Sequence, residues 1–114
     1  RIAKAARDAD PGFMVVMQNA EELLAHARLR SAIDAVAKED LLFGLSGSGT
    51  ENEASEIRSS LHFLDKVRRQ GRPVFVVEYL DDPVLAGVAR RKLSEMGFIP
   101  YFAPRDLGRL NLDF

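Results

Sequence analysis

Cysteine is absent from the 114 residues. Disulfides and thiolate metal sites are therefore excluded, and the compartment stays open. Tryptophan is absent too, which weighs mildly against an aromatic platform for stacking sugar rings. No apolar run comes near the roughly 18 residues that a membrane-spanning helix requires. An excess of one charge is also missing. The 16 basic and 17 acidic residues leave a formal net charge of −1, which gives no reason to expect nucleic acid as a partner. His26 and His62 stand in helical stretches with no second ligand at metal spacing, so no metal and no other cofactor is expected. What remains is an ordinary globular composition, 46% apolar and 29% charged, with enough chain for one domain and a modest core.

The most informative stretch is Pro73-Val74-Phe75-Val76-Val77-Glu78-Tyr79. It is apolar at alternate and intervening positions alike, the pattern of a parallel strand buried on both faces. It ends abruptly in a carboxylate. Asp82-Pro83 then provides a helix start. Three further strands are expected at Phe13–Met17, Leu41–Leu45 and Phe98–Phe102. Pro100 places the last of these at an edge or in an irregular strand.

Helical segments alternate with the strands. Glu21–Ala25 reads as a short one. Ser31 reads as the cap of a helix carrying Ile33, Val36 and Ala37. Thr50 and Glu53 fit a capping box for a helix running to about Gln70, with Ile57, Leu61, Leu64 and Val67 as its apolar stripe. Val84, Leu85, Val88 and Leu93 mark the helix that Gly97 ends, and Pro104–Leu107 opens a last short one. Strand starts at 13, 41, 73 and 98 repeat the length of a βα unit four times. The expected fold is α/β: a parallel (βα)4 unit, either half of an eight-stranded barrel or a small open doubly wound sheet. Arg1–Arg7 reads as the last turns of a helix, so the chain is expected to be a piece of a longer protein. A half-barrel would leave open strand edges and an uncovered interior lined by Val15, Phe43, Val76 and Phe102, and would seek a partner half or associate with itself.

The carboxyl ends of parallel strands share one edge, where such folds keep their chemistry. That edge collects Gln18 and Asn19, then Ser46, Ser48 and Thr50, then Glu78 and Tyr79, then Arg105 and Asp106. Glu78 reads either as a general acid kept partly protonated by burial or as a structural carboxylate that caps the following turn or pairs with Arg105. Ser46–Thr50 is rich in glycine and precedes a helix, but it lacks the lysine and spacing of a phosphate loop.

The ordered set Val15-Val16-Met17-Gln18-Asn19-Ala20-Glu21, Glu39-Asp40-Leu41-Leu42-Phe43-Gly44, Gly71–Tyr79, and Gly97–Tyr101 with Arg105-Asp106-Leu107 resembles the C-terminal half of glycoside hydrolase family 114. These are endo-α-1,4-polygalactosaminidase-like proteins. The resemblance implies a TIM (β/α)8 barrel, of which this chain, read as a single domain, would supply strands five to eight. It implies cleavage of an α-1,4-linked galactosamine-type polysaccharide and a secreted or periplasmic protein. It assigns the acid/base role to Glu78. Gln18 and Asn19 come to the sugar pocket, with Ser46, Tyr79, Arg105 and Asp106 as further substrate-binding candidates. The family's second carboxylate, an Asp ending strand four, has no counterpart here, so the chain alone is expected to be inactive. The competing expectation is a non-catalytic module that binds a sugar or another chain.

Overall fold

The computed structural model describes residues 1–112. Four strands, β1 (Val16–Gln18), β2 (Ala35–Glu39), β3 (Val74–Glu78) and β4 (Ile99–Phe102), form one all-parallel sheet in the order β1-β2-β3-β4. Helix α1 (Ile2–Ala9) precedes the sheet. A 3-10 helix (Glu21–Ala25) and α2 (Ala27–Ala32) link β1 to β2. Helices α3 (Ala54–Arg69) and α4 (Pro83–Glu95) make the next two crossovers. The fold is thus an α/β unit of the expected (βα)4 kind. Strand order follows chain order with no reversal. Right-handed crossovers between successive neighbours place their helices on the same face of the sheet.

Local chemistry explains most of these elements. Asp82 caps α4 by accepting from the Val84 N–H at 2.8 Å, with Pro83 in the first turn. Gly71 and Gly97, at φ +77° and +82°, turn the chain out of α3 and α4, where a side chain would be strained. Pro100 lies in β4, which among the described residues is an edge strand pairing with β3 alone, so its missing N–H costs no ladder bond on the inner side.

The second strand is not where the apolar run suggests. It is Ala35–Glu39, and Leu41-Leu42-Phe43 is a buried loop. Asp40, at φ +52°, ends the strand, and the chain then makes a hairpin-like excursion. Phe43 bridges Glu51, Gly44 N–H donates to Thr50 O, and Asn52 N–H donates to Leu42 O. The spacing of Ile33, Val36 and Ala37 mimics a helical stripe, yet Val36 sits beside Val74 in the sheet.

Other helix boundaries move as well. Ser31 lies inside α2, its hydroxyl donating back to Ala27 O at 3.0 Å. Thr50 closes a turn onto Gly47 instead of capping α3, whose N-cap is Glu53. Pro104–Leu107 forms a single turn closed by the Leu107 N–H on Pro104 O.

The sheet's two faces differ. Val36, Val74, Val76 and Phe102 belong to the core with Leu64 and Val67 of α3 and Ala89 and Leu93 of α4. Each such valine, leucine or phenylalanine side chain contributes about 1.5–3 kcal/mol of burial. On the other face, Val16, Phe75 and Ile99 remain 51%, 36% and 48% exposed. The uncovered face is therefore not the expected set. Val76 and Phe102 are under the helices, Phe43 is buried in its loop, and Val15 packs against the core. A continuous apolar run gives no indication of which parity faces which side. Among the described residues no helix is long and apolar enough to cross a membrane.

Candidate functional site

Parallel strands bring Gln18, Glu39, Glu78 and Phe102 to one edge of the sheet. Strand alternation then sorts them. Gln18 is level with Ala37, and Ala37 with Phe75, so Gln18 and Glu39 project from the open face. Glu78 lies three residues beyond Phe75 and turns the other way, into the helix-covered core.

On the open side a polar network is built around Glu39. Asn19 donates its Nδ2 to Glu39 Oε2 at 3.0 Å, and its Oδ1 accepts from the Glu39 backbone N–H at 2.9 Å. The Tyr79 hydroxyl donates to Glu39 Oε1. Beside it, Arg105 pairs with Asp40 at 3.0 Å, and its guanidinium lies 4.6 Å over the Tyr79 ring. Gly44 backs this pair closely. A Cβ there would stand 2.4 Å from Asp40 Oδ1 and 3.0 Å from Arg105 Nη2.

Two residues of the network, Asn19 (φ +54°) and Asp40 (φ +52°), hold left-handed backbone at strand ends. Asn and Asp tolerate that region better than most residues, and backbone strain of this kind tends to collect at functional sites.

The network sets protonation. Hydrogen bonds from Tyr79, then Asn19 and Gln18, and the charge of Arg105 hold the Glu39 carboxyl below its ordinary value against the opposing effect of burial. Burial, and next the bond to Glu39, push the Tyr79 phenol up to about 12. Asp40 holds the Arg105 guanidinium further toward its charged form. At neutral pH the rim therefore presents an ionised carboxylate between an amide, a phenol and a guanidinium. Such a set can receive hydroxyl or amino groups, accept a proton, or stabilise positive charge developing on a ligand.

Glu78 has a different environment. Its side chain is fully buried, Oε1 accepts from the Leu42 N–H at 2.7 Å, and Oε2 makes no hydrogen bond. Burial first, with a smaller push from the Asp40 charge, raises its pKa to about 7, against the pull of the Leu42, Phe43 and Leu41 amides.

Of the residues expected at the site, Gln18, Asn19, Tyr79 and Arg105 converge on Glu39 and Asp40. Glu78 lies on the opposite face of the sheet. Ser46 stands exposed in its loop, and Asp106 is turned onto the Gly108 N–H at 2.9 Å. Sequence reasoning missed Glu39 and Asp40 as members of this polar network because it placed the second strand at Leu41–Leu45, six residues later than Ala35–Glu39. The available signal was a pair of acidic residues directly after Ala35–Lys38, a segment with strand alternation once Val36 and Lys38 are assigned to the covered side.

No family model matches the chain. A protein of Deinococcus radiodurans is 32% identical over 113 residues, 99% of this chain and 36% of that protein. One of Methanocaldococcus jannaschii is 32% identical over 111 residues, 87% of this chain and 31% of that protein. One of Thermotoga maritima is 30% identical over 115 residues, 93% of this chain and 35% of that protein. All three are described as uncharacterized proteins. The chain spans about a third of the length of the curated relatives it matches.

Proposed function

We propose that this chain is the C-terminal half of a (β/α)8-barrel glycoside hydrolase of the family 114 type, acting on an α-1,4-linked galactosamine-type polysaccharide. In this reading Glu39, not Glu78, is the carboxylate that meets the sugar. One observation carries it: the Glu39 carboxyl, held by Asn19 and Tyr79, ends a parallel strand on the sheet face where Val16, Phe75 and Ile99 stay exposed. The unreversed strand order and the open apolar face suit half of a closed barrel.

Glu39 accepts a proton or supports the oxocarbenium-like transition state, and a carboxyl of the other half completes the pair. A separation of about 5–5.5 Å would make the reaction retaining, and about 6.5–9.5 Å inverting. The open face closes against that other half. Alone, the chain should associate with itself through Val16, Phe75 and Ile99, and light scattering should then show species larger than 12.7 kDa.

The decisive experiment measures release of reducing ends from an α-1,4-galactosaminogalactan by the full-length protein and by its Glu39→Gln variant. The variant should bind the polymer but lose about 10²–10⁴-fold in kcat. Undiminished turnover would end the assignment of Glu39. Binding without turnover by the unaltered full-length protein would favour the sugar-binding module instead.

A further inference from the structure

We infer that Glu78 is a positioning residue of the rim: its enclosed carboxyl holds the Leu41–Phe43 segment and, through it, the Glu39–Asp40 pair. The inference rests on the assignment of Glu39 to the site. It starts from a polar group that packing alone does not explain. A fully buried carboxyl with one unpartnered oxygen is expensive, and an apolar side chain of similar size would fill the same space more cheaply. What an apolar residue lacks is an acceptor for the Leu42 N–H, which Glu78 provides at 2.7 Å.

The loop is gripped from its other side by Asn52, itself 4% exposed. Its Nδ2 donates to Asp40 O and Leu41 O at 2.9 Å each, and its Oδ1 accepts from the Leu45 N–H. The left-handed Asp40, one residue from Glu39, is held by Asn52 directly and lies two residues before the Leu42 amide that Glu78 holds. A turn with that backbone persists only where its surroundings over-determine it. Released, the loop would relax at Asp40, and both the Arg105 pair and the aim of Glu39 would shift. The charged groups that bear on Glu78 are Asp40 in the loop and, through Asp40, Arg105. Protonation of Glu78 and the placement of the rim are thereby coupled.

The test is an NMR titration of the protein over about pH 3 to 9, a range that brackets both a carboxyl titrating near 7 and one titrating below its ordinary value. The Leu42 amide resonance should move with the Glu78 midpoint, and the Glu39 carboxyl carbon should show a second inflection at the same pH. In Glu78→Gln, which keeps an oxygen acceptor but cannot ionise, both movements should vanish while the Leu42 amide stays protected. In Glu78→Leu, the Leu42 amide should exchange about tenfold faster and Glu39 should titrate closer to its ordinary value.

A Leu42 resonance that is flat with pH in the unaltered protein would overturn the inference. So would a Glu39 titration identical in all three forms. Should the Leu variant fail to fold, the unaltered protein and the Gln variant decide the matter. Neither readout depends on turnover, so a failure of the glycosidase assay would leave this result standing, and the reverse also holds.

Discussion

Glu39 and Glu78 end neighbouring strands of one sheet, yet their environments push them in opposite directions. Glu39 is half-buried on the open face, with a phenol, an amide and a nearby guanidinium to support its charge. Glu78 is enclosed on the covered face, with amide donors for one oxygen and none for the other. The first is held ionised at neutral pH and the second is poised near 7. Position at a strand's carboxyl end does not define a chemical role. The side of the sheet to which the side chain turns decides what the carboxylate can touch.

The largest expected effect separates the two directly. In the full-length protein, Glu39→Gln should lower kcat by about 10²–10⁴-fold, while Glu78→Gln should leave it within about one order of magnitude. The reverse ranking in a reducing-end assay would return the acid/base role to Glu78.

Stability against pH gives the next contrast. The Glu78 value is raised from an unfolded 4.5 to about 7. The folded state therefore holds the extra proton between those values, and the stability this group contributes is full below about 4.5 and lost as pH rises through 7. The integrated loss is about 3 kcal/mol. Urea midpoints should fall across that window, and Glu78→Gln should remove the fall. Glu39 has the opposite sign. Its contribution is present above the ordinary carboxylate range and is lost on acidification through its lowered value. A midpoint independent of pH between about 4.5 and 7 in the unaltered protein would show that Glu78 is not so buried.

A smaller effect is expected at Gly44. Its φ of +107° and the clash that an added Cβ would make with Asp40 Oδ1 mean that Gly44→Ala both strains the backbone and displaces the carboxylate. A loss of about 1–3 kcal/mol by thermal melt is expected. Preserved stability together with an intact Asp40–Arg105 pair would mean the loop adapts freely.

The smallest concerns that pair itself. Arg105 is about half exposed, so Asp40→Asn should cost no more than about 1 kcal/mol. Its effect should appear in polymer affinity more than in melting temperature. A larger loss of stability would mark the pair as part of the core clamp and not of the rim.

Several elements were determined by residue order alone. Val74–Val77 was legible as a strand from its compact β-branched and aromatic run before a carboxylate, but only its Val74 and Val76 side is buried, while Phe75 stays 36% exposed. Asp82-Pro83 and Gly97 mark the two ends of α4 through backbone chemistry that acts within a few residues. The parallel sheet follows from the alternation of strand and helix along the chain, although the second strand starts at Ala35 and not at Leu41. Gln18, Asn19, Tyr79 and Arg105 were legible as a group at one edge of the sheet, because chain order carries them all there.

Only the tertiary structure decided the rest. Ala35–Glu39 is short and built from alanine, lysine and glutamate, so its strand is selected by pairing with Val74–Val77 and not by its own propensity. The stronger apolar signal of Leu41-Leu42-Phe43 marks burial, which a loop satisfies as well as a strand when Asn52 and Glu78 supply its hydrogen bonds. The orientation of Glu78 was equally hidden. A strand apolar on both faces carries no mark of parity, and a shift of one residue exchanges the open side for the core. The pairing register between distant segments fixes that parity, and with it whether a carboxylate meets a ligand or holds a loop.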